Sequence, residues 1–430
     1  MSRSTRVIGT LGILVVLLGM LGYWAVFWPL RDPHPVATPM HGVFALEGVR
    51  LYATPDAAGL EGATILIRDG RIAAIGEHLE VPADAVIVRC AGCVVTAGFW
   101  NAHVHFTERK WSGAERLPAS QLEVQVKDML TSRGFTTVVD TGSNLRDTIP
   151  LRRRIEHGEL LGPKIYTAGA AQYPPNGIPY YLRDSLPSWL LWFLPQPATP
   201  AAAGRDEERN IAAGADLLKL FTGSYVARGH VLPMPLENAR AAVAVAHAHG
   251  QLAFAHESNA EGVRVALDSG VDVLAHAADS AEGVDDTLLG ALVARHMAMI
   301  PTLKMFATTV TTDPAYLDPI YHQVRRFHEL GGELLFGTDV GYMRDYTTTG
   351  EFAGLVQSGL TGRDILRMLT IAPASRFGVT GDKGTIEVGK LGDLTVLTGD
   401  PIEDPKQFAA VRMTIRGGRI LWQATDRAQP

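Results

Sequence analysis

The sequence predicts an α/β protein: a (β/α)8 TIM barrel with a small β-sandwich domain that is assembled from both ends of the chain. Three observations support this prediction. The middle of the chain alternates short apolar strands with longer helical stretches, both ends are rich in short strands, and metal-binding residue types recur where the middle strands end. A doubly wound sheet is the alternative fold, but the chain lacks the glycine-rich fingerprint of dinucleotide-binding sheets, which favours the barrel.

The predicted order along the chain is an N-terminal transmembrane or signal segment, the first part of the small domain, the barrel and the second part of the small domain. The boundaries are residues 1–31, 32–95, 96–379 and 380–430. A length of 430 residues is sufficient for one large core and a satellite domain. The net charge of -6 provides no basic surface, and the chain has no nucleic-acid-binding motif, so no nucleic-acid partner is expected.

The N-terminal segment predicts a membrane anchor. Residues 7–30 carry no charge, and a bilayer span needs about 20 apolar residues. Arg3 and Arg6 precede the segment, while the charges of Arg31 and Asp32 after it cancel each other. The positive-inside rule therefore places the body of the protein on the periplasmic or other extracytoplasmic side. The alternative is a cleaved export signal and a secreted protein, although the segment lacks a small-x-small cleavage site.

Cys90 and Cys93 are the only cysteines. The Ala-Gly pair between them, flanked by strand-like segments, predicts a two-residue hairpin that places the two thiols opposite each other. In an oxidising compartment such a pair closes a disulfide if the distance is suitable. A thioredoxin-like redox motif would need a helix start after Cys90, and none is present. A structural disulfide and two inert thiols are the interpretations that remain.

Strand signals define the small domain and the barrel. Tight hairpin turns are predicted at Asp69-Gly70 in the N-terminal part and around Gly417-Gly418 in the C-terminal part. Eight barrel strands follow from the apolar runs, and helical spacing between them is clearest at residues 236–249 and 260–269. The first strand leads to His103, and the others are residues 136–140, 164–168, 217–221, 252–256, 273–276, 299–303 and 334–339.

Chemically active residues lie where these strands end, which is where barrel enzymes place their sites. His103 and His105 are two apart, so they point to the same face of the first strand, and two adjacent imidazoles suit a divalent cation. The fourth strand adds Lys219, the fifth His256, the sixth His276 and the eighth Asp339.

Each of these residues also has a structural interpretation. His256 and His276 are compatible with hydrogen-bonded core histidines, and Asp339 with a helix cap. Lys219 is harder to dismiss, because a lysine within an apolar strand is rare unless it is paired. Burial lowers the pKa of such an amine, and the neutral amine can add CO2 to form a carbamate that bridges two cations.

Taken together, these motifs resemble the amidohydrolase superfamily, in particular its imidazolonepropionase-like and prolidase-like dipeptidase branch. The resemblance covers nearly all of the chain after the N-terminal segment. It is carried by AGFWNAHVH at 97–105, GADLLK at 214–219, GVDVLAH at 270–276, FGTD at 336–339, TIAPA at 370–374 and GTIEVGKLGDL at 384–394.

The resemblance implies a site with two divalent metal ions, most often Zn2+. In it, His103, His105 and Asp339 would hold the more buried ion and His256 and His276 the more exposed one. Lys219, carboxylated by CO2, would bridge the ions together with a hydroxide, and Asp339 would pass a proton to the leaving group. The implied reaction is hydrolysis of an amide-type bond in a small molecule such as a dipeptide or an N-acyl amino acid.

The chain departs from the family pattern near the substrate. Many relatives have a glycine soon after the fifth-strand histidine and a further histidine beyond the last aspartate, whereas this chain reads His256-Glu-Ser-Asn and has no such histidine. Tyr225 and Arg344 are candidates for substrate contacts, the arginine as a bidentate partner of a carboxylate. Both are equally compatible with surface loop positions.

An insertion between the third and fourth barrel strands carries an aromatic cluster in its segment 186–196. It emerges at the catalytic face, so it is interpreted as a lid or as a segment that dips into the bilayer interface. Packing against the barrel's own helices, or against a second subunit in a homo-oligomer, is the alternative.

The sequence therefore predicts a binuclear-metal hydrolase of carbon–nitrogen bonds. A mononuclear deaminase is the nearest alternative within the superfamily, although such enzymes usually lack the fourth-strand lysine. A hydrolase of cyclic amides or lactones is another. A non-catalytic binding protein is disfavoured, because all six ligand residues are present.

Overall fold

The computed structural model describes residues 30–310 and 313–425. The segment predicted to cross a membrane, residues 7–30, therefore lies outside the described residues except for Leu30. Within the described ranges, no helix combines the length and the apolar character that a bilayer span requires. The anchor stays a prediction from the sequence.

The N-terminal part of the small domain consists of five strands. They are β1 (Val43–Leu51), β2 (Leu60–Arg68), β3 (Arg71–Gly76), β4 (Val86–Arg89) and β5 (Val94–Ala97). β2 and β3 form the predicted hairpin, with Arg68 opposite Arg71 on either side of Asp69-Gly70. β1 is a single strand with an irregular register near Gly48, whose φ is 77°. A left-handed backbone of this kind favours glycine.

Ten strands follow in the middle of the chain. They are β6 (Phe99–Val104), β7 (Phe135–Asp140), β8 (Lys164–Thr167), β9 (Leu217–Phe221), β10 (Gly223–Ala227), β11 (His230–Pro233), β12 (Leu252–His256), β13 (Val273–Leu274), β14 (Ala298–Met299) and β15 (Glu333–Leu334). β10 and β11 form a separate antiparallel hairpin. The other eight strands pair in parallel in two groups, β6 to β8 and β9 with β12 to β15.

Two sets of backbone hydrogen bonds close these groups into the predicted barrel. Asp216 N–H donates to the Thr167 carbonyl over 2.7 Å, and this bond joins β8 to β9. Ala102 N–H donates to the Phe336 carbonyl over 2.7 Å and joins β6 to the chain after β15. The carboxyl ends of all eight strands therefore surround one mouth.

Helices connect the barrel strands. Leu236–Ala248 and Ala260–Ser269 agree with the two helical segments predicted from spacing. Asn259 caps the second of these by accepting from Gly262 N–H, and Gly270 ends it in the left-handed conformation. The others of six residues or more are Ala119–Met129, Leu145–Glu156, Pro200–Ala212, Asp286–Ala294, Pro314–Glu329, Thr349–Gln357, Gly362–Leu369 and Ile371–Arg376.

The C-terminal strands β16 (Leu394–Leu397), β17 (Val411–Arg416) and β18 (Arg419–Gln423) complete the small domain. β17 and β18 form the predicted hairpin at Gly417-Gly418. All eight strands of the domain belong to one hydrogen-bonded sheet, so the prediction of a two-sheet sandwich is wrong. The physical reason is that β1 pairs with β2, β4 and β5, and β5 pairs with β16, which connects the strands from both ends of the chain.

The predicted hairpin at Cys90 and Cys93 is also wrong. β4 and β5 do not pair with each other; both run parallel to β1, one beyond the other. The chain makes a tight turn between them, with Cys93 N–H donating to the Cys90 carbonyl over 3.0 Å, and then continues in the same direction. The structure joins the two cysteines in a disulfide, with Cα atoms 5.4 Å apart.

Large apolar side chains fill the barrel interior and connect it with the small domain. Trp100, Phe254, Val273 and Leu335 are buried in one interior cluster. Gly98 carries the chain from β5 of the sheet into β6 of the barrel, and a Cβ there would lie 2.3 Å from Thr136 Oγ1. Only glycine permits this close approach, so the entry to the first barrel strand is fixed.

Candidate metal centre

The first barrel strand presents two imidazoles to the mouth, as predicted. The ring centroids of His103 and His105 are 5.2 Å apart, and their Nε2 atoms are 3.3 Å apart. His103 is buried and His105 is partly exposed. The two lone-pair nitrogens therefore point to one region at the end of the strand.

Outer hydrogen bonds fix the orientation of three imidazoles. His103 Nδ1 lies 2.8 Å from the Ala275 carbonyl oxygen, and His105 Nδ1 lies 2.7 Å from the Gly142 carbonyl oxygen. Carbonyl oxygens only accept, so Nδ1 carries the proton in both rings and Nε2 is the free acceptor. His276 Nδ1 lies 2.8 Å from Thr302 Oγ1, which itself donates to the Pro301 carbonyl, so the same tautomer follows. Metal-binding histidines are commonly held in this way.

Asp339 lies beside the imidazoles of His103 and His105. It belongs to the segment after β15, which closes the barrel against β6. Its Oδ1 is 3.0 Å from His105 Nε2 and 3.3 Å from His103 Nε2. Its backbone has a φ of 56°, a conformation that is strained for a residue with a side chain. Gly341 follows closely, where a Cβ would lie 1.9 Å from the His105 carbonyl oxygen. The loop after β15 is therefore pressed against the end of β6.

Lys219 lies within β9 and is 2% exposed. Its Nζ has no hydrogen-bond partner among the described residues. Burial lowers the pKa of this amine to about 8, while Glu257 and Asp339 act in the opposite direction. The fourth strand thus supplies a buried amine that is prone to lose its proton near neutral pH.

His256 and His276 complete the group from β12 and the end of β13. Their ring centroids are 4.6 Å apart, and the His276 ring is also 4.6 Å from that of His103. His256 stacks on Phe221 at 4.5 Å, which fixes its ring plane. All six predicted ligand residues therefore lie around one point at the mouth.

The electrostatics favour the neutral form of three of the four histidines. Burial, followed by charges that include Lys219, lowers the pKa of His103, His256 and His276 well below the usual value. Burial also acts to lower the pKa of His105, but the hydrogen bond and the charge of Asp339 raise it overall. A neutral imidazole is the form that binds a metal ion.

One ligand atom from each of His103, His276 and Asp339 lies within 4.8 Å of the others, so this trio could hold a cation. The trio crosses the division expected from the resemblance, which groups His103 and Asp339 with His105 and places His276 with His256.

The two predicted substrate contacts are placed differently. Tyr225 lies on β10 at the mouth and is half-buried; burial, followed by the charge of the nearby Asp279, raises the pKa of its hydroxyl. Arg344 is exposed on the loop after Asp339, near enough to Tyr346 to affect the pKa of its hydroxyl. Lys304 Nζ holds this loop by donating to the carbonyl of Thr347 over 2.6 Å.

The insertion between β8 and β9 covers one side of the mouth. It contains the short helices Tyr180–Arg183 and Ser188–Leu191. Its inner side packs Tyr173 on Phe221, with ring centroids 4.6 Å apart. Tyr181 approaches Tyr342 at 5.8 Å, and burial, then Tyr342, Tyr173 and Asp339 raise the pKa of its hydroxyl. Three large side chains on the outer side are 62%, 89% and 64% exposed: Trp189, Trp192 and Phe193.

Sequence reasoning missed four polar residues of this region. Asp140 ends β7 and lies close enough to His105 to affect its pKa, and the strand-end rule would have found it. Glu257 directly follows His256, and Asp279 follows His276 by three residues. Thr302 gives no signal in the sequence, because its role depends on the contact between β14's end and His276.

The family comparison shows to which family the chain belongs. The model of the amidohydrolase family matches residues 94–421. The chain belongs to the amidohydrolase family. The predicted resemblance is confirmed, and so is the prediction that the chain is a hydrolase.

Curated amidohydrolase relatives match over short segments. A deacetylase from Agrobacterium fabrum is 31% identical over 107 residues, which is 25% of this chain and 24% of the relative. An imidazolonepropionase from Vibrio cholerae is 28% identical over 101 residues, or 24% of this chain and 23% of the relative. The chain thus spans about a quarter of the curated relatives' own length in these matches.

Solved structures match over the whole fold. A putative prolidase from Bifidobacterium longum has a TM-score of 0.73 and 26% identity, covering 90% of this chain and 96% of that one. A Xaa-Pro dipeptidase with bound methionine in its active site has a TM-score of 0.73 and 22% identity, covering 89% and 100%. The ochratoxinase of A. niger has a TM-score of 0.72 and 19% identity, covering 89% and 96%. The last two similarities show the fold alone.

Proposed function

We propose that the chain is a binuclear-metal amidohydrolase that cleaves the amide-type bond of a dipeptide or an N-acyl amino acid. The observation that carries this proposal is the position of Lys219: a buried amine without a partner, next to four histidines and an aspartate. The whole-fold similarity to a putative prolidase supports the choice of a carbon–nitrogen bond.

The donor set fits two divalent cations. Three imidazoles have Nδ1 occupied by outer partners and present Nε2, and the Asp339 carboxylate lies between two of them. The unpartnered Lys219 amine lies among them, and its carboxylation would provide two further oxygen ligands. Imidazole and carboxylate-type oxygens are ligands that zinc and similar ions accept. We assign all six residues as ligands, with Zn2+ as the first candidate.

When bound by these residues, two divalent ions would lower the pKa of a water molecule and polarise the scissile carbonyl. The chain's own contribution starts with Asp339. Its carboxylate accepts the proton from the attacking water and donates it to the leaving amine, which would otherwise depart as an unstable anion. The hydrogen bonds at Nδ1 hold the imidazoles in one tautomer, so the ligand atoms need no reorientation during the reaction.

The aromatic residues of the insertion support a reaction from which bulk water is excluded. Tyr173, Tyr181 and Phe221 surround the His256 side of the mouth with large rings, which exclude water and strengthen the electrostatic interactions inside. A mononuclear deaminase, the nearest alternative, would give a buried fourth-strand lysine no role.

A substrate screen tests the proposal. Zinc-loaded protein is assayed against a library of dipeptides and N-acyl amino acids, with Asp339→Asn as the blank. We expect hydrolysis of a subset of the library and a loss of about 10²–10⁴-fold in the blank, the range typical of a proton-transfer group. An absence of hydrolysis across the library, with turnover of lactones or other esters, would replace the amidase proposal by an esterase one.

A further inference from the structure

A buried cation holds the segment that follows β15, residues 339–347, here called the closing segment. Lys304 lies in the short helix Leu303–Met305 and is 4% exposed. Its Nζ donates to the Asp345 carbonyl over 2.9 Å, to the Thr347 carbonyl over 2.6 Å and to Thr347 Oγ1 over 3.0 Å. The Asp345 carboxylate lies 2.9 Å from the same Nζ and balances its charge. An ammonium has three donors, so these contacts use the group fully.

The closing segment needs such a tie, because it begins with strained backbone. Asp339 has a φ of 56°, and a residue with a side chain keeps that conformation only where its surroundings impose it. On the β6 side, His105 N–H donates to the Val340 carbonyl over 2.7 Å. Within the segment, Met343 N–H donates back to the Asp339 carbonyl over 3.1 Å. The contacts of Lys304 follow two residues further along the chain.

The stretch that carries Lys304 is itself connected to the metal centre. Thr302, two residues before Lys304, has its Oγ1 2.8 Å from Nδ1 of His276. Glu351 accepts from the Lys304 N–H over 2.8 Å and fixes the backbone between the two contacts. The stretch therefore contacts His276 at one end and the closing segment at the other. The ligand atoms of His276 and Asp339, which these contacts connect, lie within 4.8 Å of each other.

We propose that Lys304 is a positioning residue for Asp339: through the closing segment, it holds the carboxylate in place against His276 and the histidines of the first strand. This inference rests on the proposed amidase function, in which Asp339 is both a ligand and the proton-transfer group. A displacement of about 1 Å at a reacting group can cost about 10²-fold in rate. A closing segment without its buried cation should therefore slow the chemical step more than it weakens substrate binding.

Chemical rescue tests this role on the metal-loaded, full-length chain. Lys304→Ala removes the side chain from Cγ to Nζ, which n-propylammonium matches in length and charge. With the most active substrate of the screen, we expect kcat to fall about 10- to 100-fold and KM to stay within about twofold. Added n-propylammonium should restore part of kcat, whereas 1-propanol, which has the same length but no charge, should not. Lys127→Ala, an exposed lysine on the helix Ala119–Met129, is the control and should behave as wild type.

Hydrogen–deuterium exchange adds a measurement that needs neither substrate nor metal. Peptides that cover the closing segment should exchange faster in Lys304→Ala than in wild type and Lys127→Ala, and n-propylammonium should restore slow exchange. Because Asp339 is a proposed ligand, the affinity for Zn2+, measured by competition with a chromogenic chelator, should fall about 10-fold. If Lys304→Ala does not fold, Lys304→Met, which keeps the length of the stem without the charge, is used for exchange and affinity.

The outcomes separate this inference from the proposed function. Unchanged exchange of the closing segment together with unchanged Zn2+ affinity would overturn the positioning role, even if wild type hydrolyses its substrates. Equal rescue by 1-propanol would also overturn it, because Lys304 would then act only by filling space. Faster exchange and weaker Zn2+ binding in a chain whose wild type hydrolyses no amide of the screen would support the positioning role and reject the amidase function.

Discussion

Each of three imidazoles in the centre depends on one oxygen outside it. For His276 that oxygen is Thr302 Oγ1, 2.8 Å from Nδ1, on a residue with a φ of 49°. The other two partners are backbone carbonyls, which no substitution can remove. Thr302 is therefore the position where the orientation of a ligand can be changed without changing the ligand.

Replacing Thr302 with alanine should weaken metal binding about 10- to 100-fold, because His276 loses the acceptor that fixes its tautomer and ring plane. Competition with a chromogenic chelator measures this affinity. Thr302→Ser keeps the hydroxyl and serves as the matched control, which should retain most of the affinity. Unchanged affinity in the alanine variant would mean that His276 is not a ligand oriented in this way.

At the level of single residues, the sequence was sufficient for the ligand types and their positions at strand ends. His103, Lys219, His256 and Asp339 were found because each lies within or shortly after an apolar strand of a recognisable barrel. Thr302 could not be found by this rule, because its role comes from the contact between the ends of neighbouring strands. Such contacts depend on three-dimensional packing, which spacing along one strand does not encode.

One structural element holds Thr302 in place. Glu351, in the helix Thr349–Gln357, accepts from Leu303 N–H over 3.0 Å and from Lys304 N–H over 2.8 Å. These are the first amides of the short helix Leu303–Met305, which directly follows Thr302. Glu351 is buried, and burial raises its pKa to about 7, with the two amides acting in the opposite direction.

This raised pKa predicts a pH-dependent stability. The folded state binds the Glu351 proton more tightly than the unfolded chain, whose pKa is near 4.5, so stability falls as pH rises from about 4.5 through 7. Glu351→Gln keeps an acceptor and removes the titration. The variant should therefore gain stability relative to wild type between pH 5 and pH 8, by at most about 3 kcal/mol. Thermal unfolding at both pH values measures the change, and the exposed Glu80→Gln should show none.

The insertion between β8 and β9 carries the prediction of a lid. Changing Trp189 and Trp192 to glutamate should lower activity on apolar dipeptides more than on small polar ones, because it removes an apolar surface beside the mouth. Ratios of kcat/KM for Leu-Leu and Gly-Ser measure the effect. If both substrates respond equally, the lid interpretation fails and the aromatic cluster has another role.

At the level of elements, turns and helix ends could be predicted from local sequence signals, whereas the pairing partner of each strand could not. The hairpins at Asp69-Gly70 and Gly417-Gly418 and the helix from Ala260 follow from turn and cap residues. The Ala-Gly pair between Cys90 and Cys93 carried the same kind of turn signal, yet β4 and β5 both pair with β1 instead of each other. A turn sequence fixes the local bend, whereas the neighbour of each strand depends on the whole sheet.

At the scale of the whole molecule, the first described residues and the mouth lie at opposite ends of the barrel. The chain after residue 30 lies along the end of the barrel that is opposite to the mouth. There, Arg152 donates to the Pro33 carbonyl, and Thr38 N–H donates to the carbonyl of Glu156, which ends the helix Leu145–Glu156. This position is at the starts of the barrel strands, whereas Trp192 is beside their carboxyl ends. The first described residues thus lie at the end of the barrel that is away from the insertion.

The barrel could be predicted as a whole because its eight strands recur with helices between them, a pattern that few folds share. The single sheet of the small domain could not, because β1 contributes to pairings with residues close in sequence and, through β5, with strands from the other end of the chain. The candidate metal centre also combines residues that are far apart in the sequence, because β6 and the segment after β15 meet at Ala102 and Phe336. The function therefore depends on closure of the barrel.

The most direct test of the central claim is the metal content of the purified chain. Elemental analysis should give about two divalent ions per chain for wild type and for Lys127→Ala, an exposed control on the helix Ala119–Met129. Lys219→Ala should bind fewer than two ions and lose about 100-fold or more in activity, because the site then lacks the residue that we propose as the bridge between the ions. A single ion per chain in wild type, with full activity retained in Lys219→Ala, would contradict the binuclear account.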